Sequence, residues 1–186
     1  MSTLTPITSL YLLAFLCLLT SPIQAASSQT HSPEFARLVT LVDQRLHLMK
    51  DVAAYKLAHQ IAIENKPREQ VVLESAIASA RQHQLDPASL EPFFRLQIEI
   101  AKAVQLSWIE NWQAEGRLAS SDIIIADLQA DIRPELLTLG EQLVAQLPLA
   151  LSELHGANSF DSHLKTLNRL IRTPYVSAAM KRELLQ

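Results

Sequence analysis

An all-α, single-domain bundle of about six helices is what this 186-residue sequence predicts, on three observations. Only three glycines occur, while helix-favouring Leu, Ala, Gln, Glu and Arg abound, leaving few turns for a sheet. Apolar residues recur at helical spacing, as in Leu38, Leu41, Val42, Leu46, Met49, Val52, Ala53 and Leu57. Polar residues stand just before prolines at Ser32-Pro33, Asn65-Lys66-Pro67 and Asp86-Pro87, the punctuation of helix N-termini.

The chain opens without Asp, Glu, Lys or Arg before Glu34. Leu10 to Leu19 is an apolar run of ten, too short to cross a bilayer as a helix. Small residues follow at Ala25-Ala26. Residues 1–25 therefore read as a secretory signal peptide, and 26–186 as the helical domain. A retained membrane anchor is the alternative reading, since the n-region carries no Lys or Arg. Cys17, the only cysteine, lies inside the apolar run, so the mature chain would hold neither a disulfide nor a cysteine-ligated metal.

Ser32-Pro33-Glu34 opens the first helix, which the apolar spacing carries to about Glu64. The second spans roughly Arg68 to Gln84. Asp86-Pro87 opens a third that reaches Glu115, where Gly116 stops it. A fourth helical region starts near Ser121-Asp122, is interrupted or restarted at Pro134 and resumes through Leu147 before Pro148. Gly156-Ala157-Asn158 is a break, Ser159 to Arg172 another helix, and Thr173-Pro174 begins a short last one.

A net charge of −3 gives no global basic field of the kind that marks nucleic-acid binding. No Gly-rich phosphate loop, nucleophile elbow or HExxH is present. The six histidines show no pairing that implies a metal, so neither metal nor cofactor is expected. They read as surface or packing residues.

Chemistry concentrates in two stretches. Arg45 and Lys56 are eleven residues apart, close to three helical turns, and so point the same way. Arg68 stands at the electropositive start of the next helix. Three cations converging there suit a small polyanion, although a solvated face is the plainer reading of Lys and Arg. In FFRLQIEIAKAVQLSWIENW, Gln97, Ala101 and Gln105 share one stripe at steps of four, with Lys102 beside it. A Gln on an apolar face needs a hydrogen-bond partner once buried. Trp108 and Trp112 read as core or interface anchors.

In order and spacing, RLHLMKDVAAYK, then NKPRE, then FFRLQIEIAKAVQ resembles the exported, AroQ-type all-helical chorismate mutases, strongly from Phe35 to Trp112 and weakly beyond. That resemblance implies the substrate chorismate and its rearrangement to prephenate, on the branch toward Phe and Tyr. It implies that Arg45 and Arg68 hold substrate carboxylates, and that Lys56 contacts the ether oxygen and a carboxylate. Gln105 would donate to the same oxygen, making Lys56 and Gln105 the catalytic pair, and Glu69 would bind the substrate hydroxyl. Asn65 and Ala101 stand at substrate-binding positions where relatives carry Asp and Ser or Thr. A further arginine is expected from the later helices: Arg133 is the candidate, with Gln142 as an alternative for the matching place and Lys165, Arg169 and Arg172 left open.

By the same resemblance the mature protein is periplasmic or secreted, a homodimer with a complete site in each chain, and has no membrane or nucleic-acid partner. A non-catalytic periplasmic helical module and an isochorismate-type lyase on the same fold are the rival readings.

Overall fold

A computed structural model describes residues 33–117, 125–154 and 160–186, all in one compact unit. The signal-peptide reading of residues 1–25, the helix start near Ser121-Asp122 and the break at Gly156-Ala157-Asn158 lie outside the described residues.

Seven α-helices occur among the described residues: α1 (Pro33–His47), α2 (Met49–Ala58), α3 (Lys66–Gln82), α4 (Pro87–Ala114), α5 (Arg133–Leu154), α6 (Phe160–Leu170) and α7 (Ala178–Glu183). No strand is found among them. The α1 helix packs on α5 and α6, α2 on α4, and α3 on both α4 and α5. Leu46, Val104, Leu143 and Val144 are completely buried where these faces meet. Each such side chain contributes about 1.5–3 kcal/mol of hydrophobic stabilisation relative to exposure. None of the described helices is long and apolar enough to cross a membrane.

Several boundaries follow the sequence closely. The Asn65 side chain accepts the Arg68 N–H (3.0 Å) at the start of α3, and Asp86 accepts the Ala88 N–H (3.1 Å) at the start of α4. Past the end of α4, Gly116 adopts φ +68°, the left-handed conformation glycine takes without steric cost.

The first helix differs from expectation twice. Leu48 separates α1 from α2 while keeping helical angles (φ −64°, ψ −15°). The helix then ends at Ala58, six residues before Glu64 (64 − 58), because Gln60 turns left-handed at φ +54°. That turn lets the Ile61 N–H reach back to the Lys56 carbonyl (2.8 Å) and the Gln60 N–H to that of Leu57 (3.2 Å).

Pro148 does not end its helix either: α5 continues to Leu154. An internal proline deletes one ladder hydrogen bond, and the buried Leu147 and Ala150 on either side hold the segment helical. Ahead of α5, Leu128–Ile132 forms a π-helical turn capped by Asp127, whose carboxylate accepts the Gln129 and Ala130 N–H groups. The last helix starts at Ala178 under a Ser177 cap, four residues later than Thr173-Pro174 indicates (178 − 174).

Candidate active site

Four helices enclose a cavity of about 230 Å³: α2, α3, α4 and α5, with Arg45 reaching in from the end of α1. Arg45, Lys56, Asn65, Arg68, Glu69, Ala101, Gln105 and Arg133 all line it. These eight residues, named from the sequence, are thus brought to one space. Gln142 is not: it faces a separate groove between α1 and α5 beside Asp43 and His47. Lys165, Arg169 and Arg172 do not line the cavity either. Of these later-helix candidates, Arg133, the first residue of α5, is the one that lines the cavity.

Arg45 is 7% exposed, and its Nη1 donates to the Gln97 carbonyl (3.3 Å). Burial without a carboxylate lowers its pKa well below the ordinary arginine value, to about 10. Lys56 occupies the last turn of α2 and donates from Nζ to the Ile63 carbonyl (2.7 Å). Burial holds its pKa below the ordinary lysine value; Glu69 opposes that shift, and Arg133 and Lys102 add to it. Arg68 is likewise lowered by burial and by Arg133. Among the described residues Arg45, Lys56, Arg68 and Arg133 form no ion pair with a carboxylate. Four cations share one cavity without a direct ion pair, an arrangement that costs stability and favours an incoming polyanion.

The start of α3 orders the opposite wall. Asn65 accepts from the Arg68 N–H, and Glu69 Oε1 accepts from the Asn65 N–H (3.2 Å), so side chains close the turn in both directions. Glu69 Oε2 faces Lys102 Nζ at 3.5 Å. Asn65 caps as an Asp would, without adding a negative charge to the cavity.

On α4, Gln97, Ala101 and Gln105 are all buried, as their common stripe requires. Gln105 Nε2 donates to the Ala101 carbonyl (3.1 Å) and meets Met49 Sδ on α2 (3.3 Å). Thioether sulfur is a weak acceptor, so this second N–H is available to a stronger one. Ala101 leaves room beside it and supplies no hydroxyl. The Gln97 side chain is fully buried, and its amide has no partner among the described residues. Trp112 is buried at 1% exposure, with Trp108 5.6 Å away between ring centroids, as core anchors.

Sequence reasoning missed part of the wall. Ile61 and Ile63 lie in the α2–α3 loop, which the periodicity assigned to helix; Leu136, Leu137, Gly140 and Glu141 come from α5. A stop signal at Gln60 would have exposed the first pair, but Gln carries none.

A helical bundle whose interior presents clustered cations and a buried amide is the class that fold and cavity define. Residues 36–106 match the family model described as chorismate mutase type II. The chain is 30% identical over 154 residues to a monofunctional chorismate mutase of Enterobacter agglomerans, covering 82% of this chain and 81% of the relative. It is 32% identical over 107 residues to a secreted chorismate mutase of Yersinia pestis, 58% of each chain. The crystal structure of a secreted chorismate mutase from Yersinia pestis superposes with a TM-score of 0.67 at 26% identity, over 80% of this chain and 92% of that one. This chain belongs to the type II chorismate mutases, as the resemblance drawn from its sequence implies.

Proposed function

We propose that this protein is a chorismate mutase, an isomerase that converts chorismate to prephenate in the cavity between α2, α3, α4 and α5. Family membership supports the activity, and the observation that carries the site is the set of four cavity cations without carboxylate partners.

The reaction breaks a C–O bond and forms a C–C bond within one dianion, with no external nucleophile and no net proton transfer. The enzyme's task is to hold the reactive folded conformer and to stabilise charge growing on the ether oxygen. Arg45, Arg68 and Arg133 would take the two carboxylates through charge-assisted contacts. Lys56 and the Gln105 N–H that meets the weakly accepting Met49 sulfur would donate to the ether oxygen, more strongly as it becomes negative. Glu69 would accept the substrate hydroxyl, while Asn65 and Ala101 shape the adjoining walls. A millionfold acceleration requires lowering the barrier by about 8 kcal/mol, within reach of enforced geometry plus two preorganised donors.

Incubating the purified protein with chorismate and identifying the product tests this. Prephenate is expected; pyruvate released with an aromatic acid would instead establish a lyase, and no consumption would leave a non-catalytic helical module.

We further propose that residues 1–25 are a cleaved signal peptide and that the mature chain is exported to the periplasm or medium. The apolar run Leu10–Leu19, the small residues Ala25-Ala26 and the secreted relative support this. N-terminal sequencing of exported protein should begin near Ala26. A homodimer with one site per chain is part of the same reading. Sedimentation of the purified protein tests it.

A further inference from the structure

Lys102 is the cavity cation that the mechanism above does not use, and among the described residues it is the one already holding carboxylates. Its Nζ lies 3.5 Å from Glu69 Oε2 on α3 and 2.8 Å from Glu99 Oε1 on its own helix. The Lys102 and Glu69 side chains are both only 18% exposed, whereas Glu99 is 65% exposed. The Glu99 contact is thus a solvated pair of little energetic weight that orients the ammonium, and the Glu69 contact is the shielded one.

Glu69 poses an electrostatic problem at this site. It lines the cavity and sits near enough to Lys56 to raise that lysine's pKa. An uncompensated carboxylate there would repel a dianion and compete for the Lys56 ammonium. Lys66 offers no adequate substitute for Lys102, being 3.9 Å away, 73% exposed and engaged with Glu64 at 2.7 Å.

We propose that Lys102 is a positioning residue of this site: it neutralises Glu69 and pins Oε2 toward α4, which leaves Lys56 free for the substrate. This rests on the chorismate mutase reading. Lys102 acts through Glu69 and touches no substrate atom, so its loss should weaken ground state and transition state alike.

The test is a double-mutant cycle on the full chain, with KM and kcat for chorismate measured separately. Lys102→Met should raise KM about fivefold with a smaller change in kcat, the order expected of one partly screened charge pair. Lys102→Arg should restore most of the loss. In a Glu69→Gln background, whatever that variant's own rate, Lys102→Met should change KM by less than about twofold, because the charge to be neutralised is gone. Helicity by circular dichroism accompanies each variant, with Lys102→Gln replacing Lys102→Met if the latter does not fold. An equal loss in both backgrounds would make Lys102 a direct ligand and overturn the proposal, as would an unchanged KM in Lys102→Met. Wild-type protein is assayed alongside: absence of turnover there overturns the functional reading itself, whereas wild-type turnover with additive variants overturns only the role of Lys102.

Discussion

Lys56 Nζ donates to the carbonyl oxygen of Ile63 at 2.7 Å, tying the last turn of α2 to the loop that leads into α3. The bond fixes the ammonium at the cavity wall before any ligand arrives. It uses one of three N–H groups and leaves two to face the cavity. Pre-positioning of this kind spares the site the entropy of ordering a long side chain during binding.

Because burial, then Arg133 and Lys102, hold the Lys56 pKa below 10.5, its ammonium is lost at a lower pH than that of an ordinary lysine. The rate kcat/KM should therefore fall on an alkaline limb centred below 10.5, and that limb should move to higher pH in kcat, where the bound dianion favours the ammonium. For stability the sign is reversed. A cation whose folded pKa is depressed destabilises the fold at lower pH, and stability rises as pH climbs through the folded value toward the unfolded one. pH–rate profiles check the first statement and denaturant titrations at alkaline pH the second.

Arg45 carries the larger version of the same conflict. Lowering its pKa from the ordinary arginine value to about 10 corresponds to a cost of order 3 kcal/mol for keeping the buried guanidinium charged. Replacing it by a neutral chain of similar length relieves that cost and forfeits the hydrogen bond to Gln97 O, about 1 kcal/mol. Arg45→Met should raise Tm by about 4–8 °C. Its turnover of chorismate should fall at least about tenfold through the lost carboxylate contact. A melting curve and a single rate measurement decide both halves.

Arg68→Ala and Arg133→Ala should each weaken kcat/KM by about 1.5–3 kcal/mol, the worth of a charge-assisted contact, with native helicity by circular dichroism. Gln142→Ala, on the groove between α1 and α5, should leave the rate within about twofold. Comparable losses in Arg133→Ala and Gln142→Ala would contradict the placement of Arg133.

Much of this was legible in the sequence because it was written in strong local signals. Asn65 and Asp86 before prolines mark the starts of α3 and α4, and the eleven-residue spacing of Arg45 and Lys56 survives the joint at Leu48. What was not legible depends on tertiary context. Gln60 adopts a left-handed conformation in a residue type that seldom signals one, so α2 appeared longer than it is and the wall residues Ile61 and Ile63 were hidden. Pro148 reads as a stop, yet packing of Leu147 and Ala150 carries the helix through it. The pairing of Lys102 with Glu69 joins residues 33 positions apart on different helices, which no periodicity announces.

Electrostatic catalysis at this site depends finally on Gln105 donating a hydrogen bond to an oxygen that becomes negative. An amide donates at any ordinary pH, whereas a carboxyl donates only while protonated. The measurement is kcat/KM for chorismate in wild type and Gln105→Glu from about pH 4.5 to about pH 8.5, spanning carboxyl titration. Wild type should be nearly flat around neutrality. Gln105→Glu should be slower at the upper end and should recover activity as the pH falls and the buried carboxyl takes up its proton. Parallel profiles in the two proteins would mean that position 105 does not contact the reacting oxygen, and the proposed catalytic pair of Lys56 and Gln105 would be wrong.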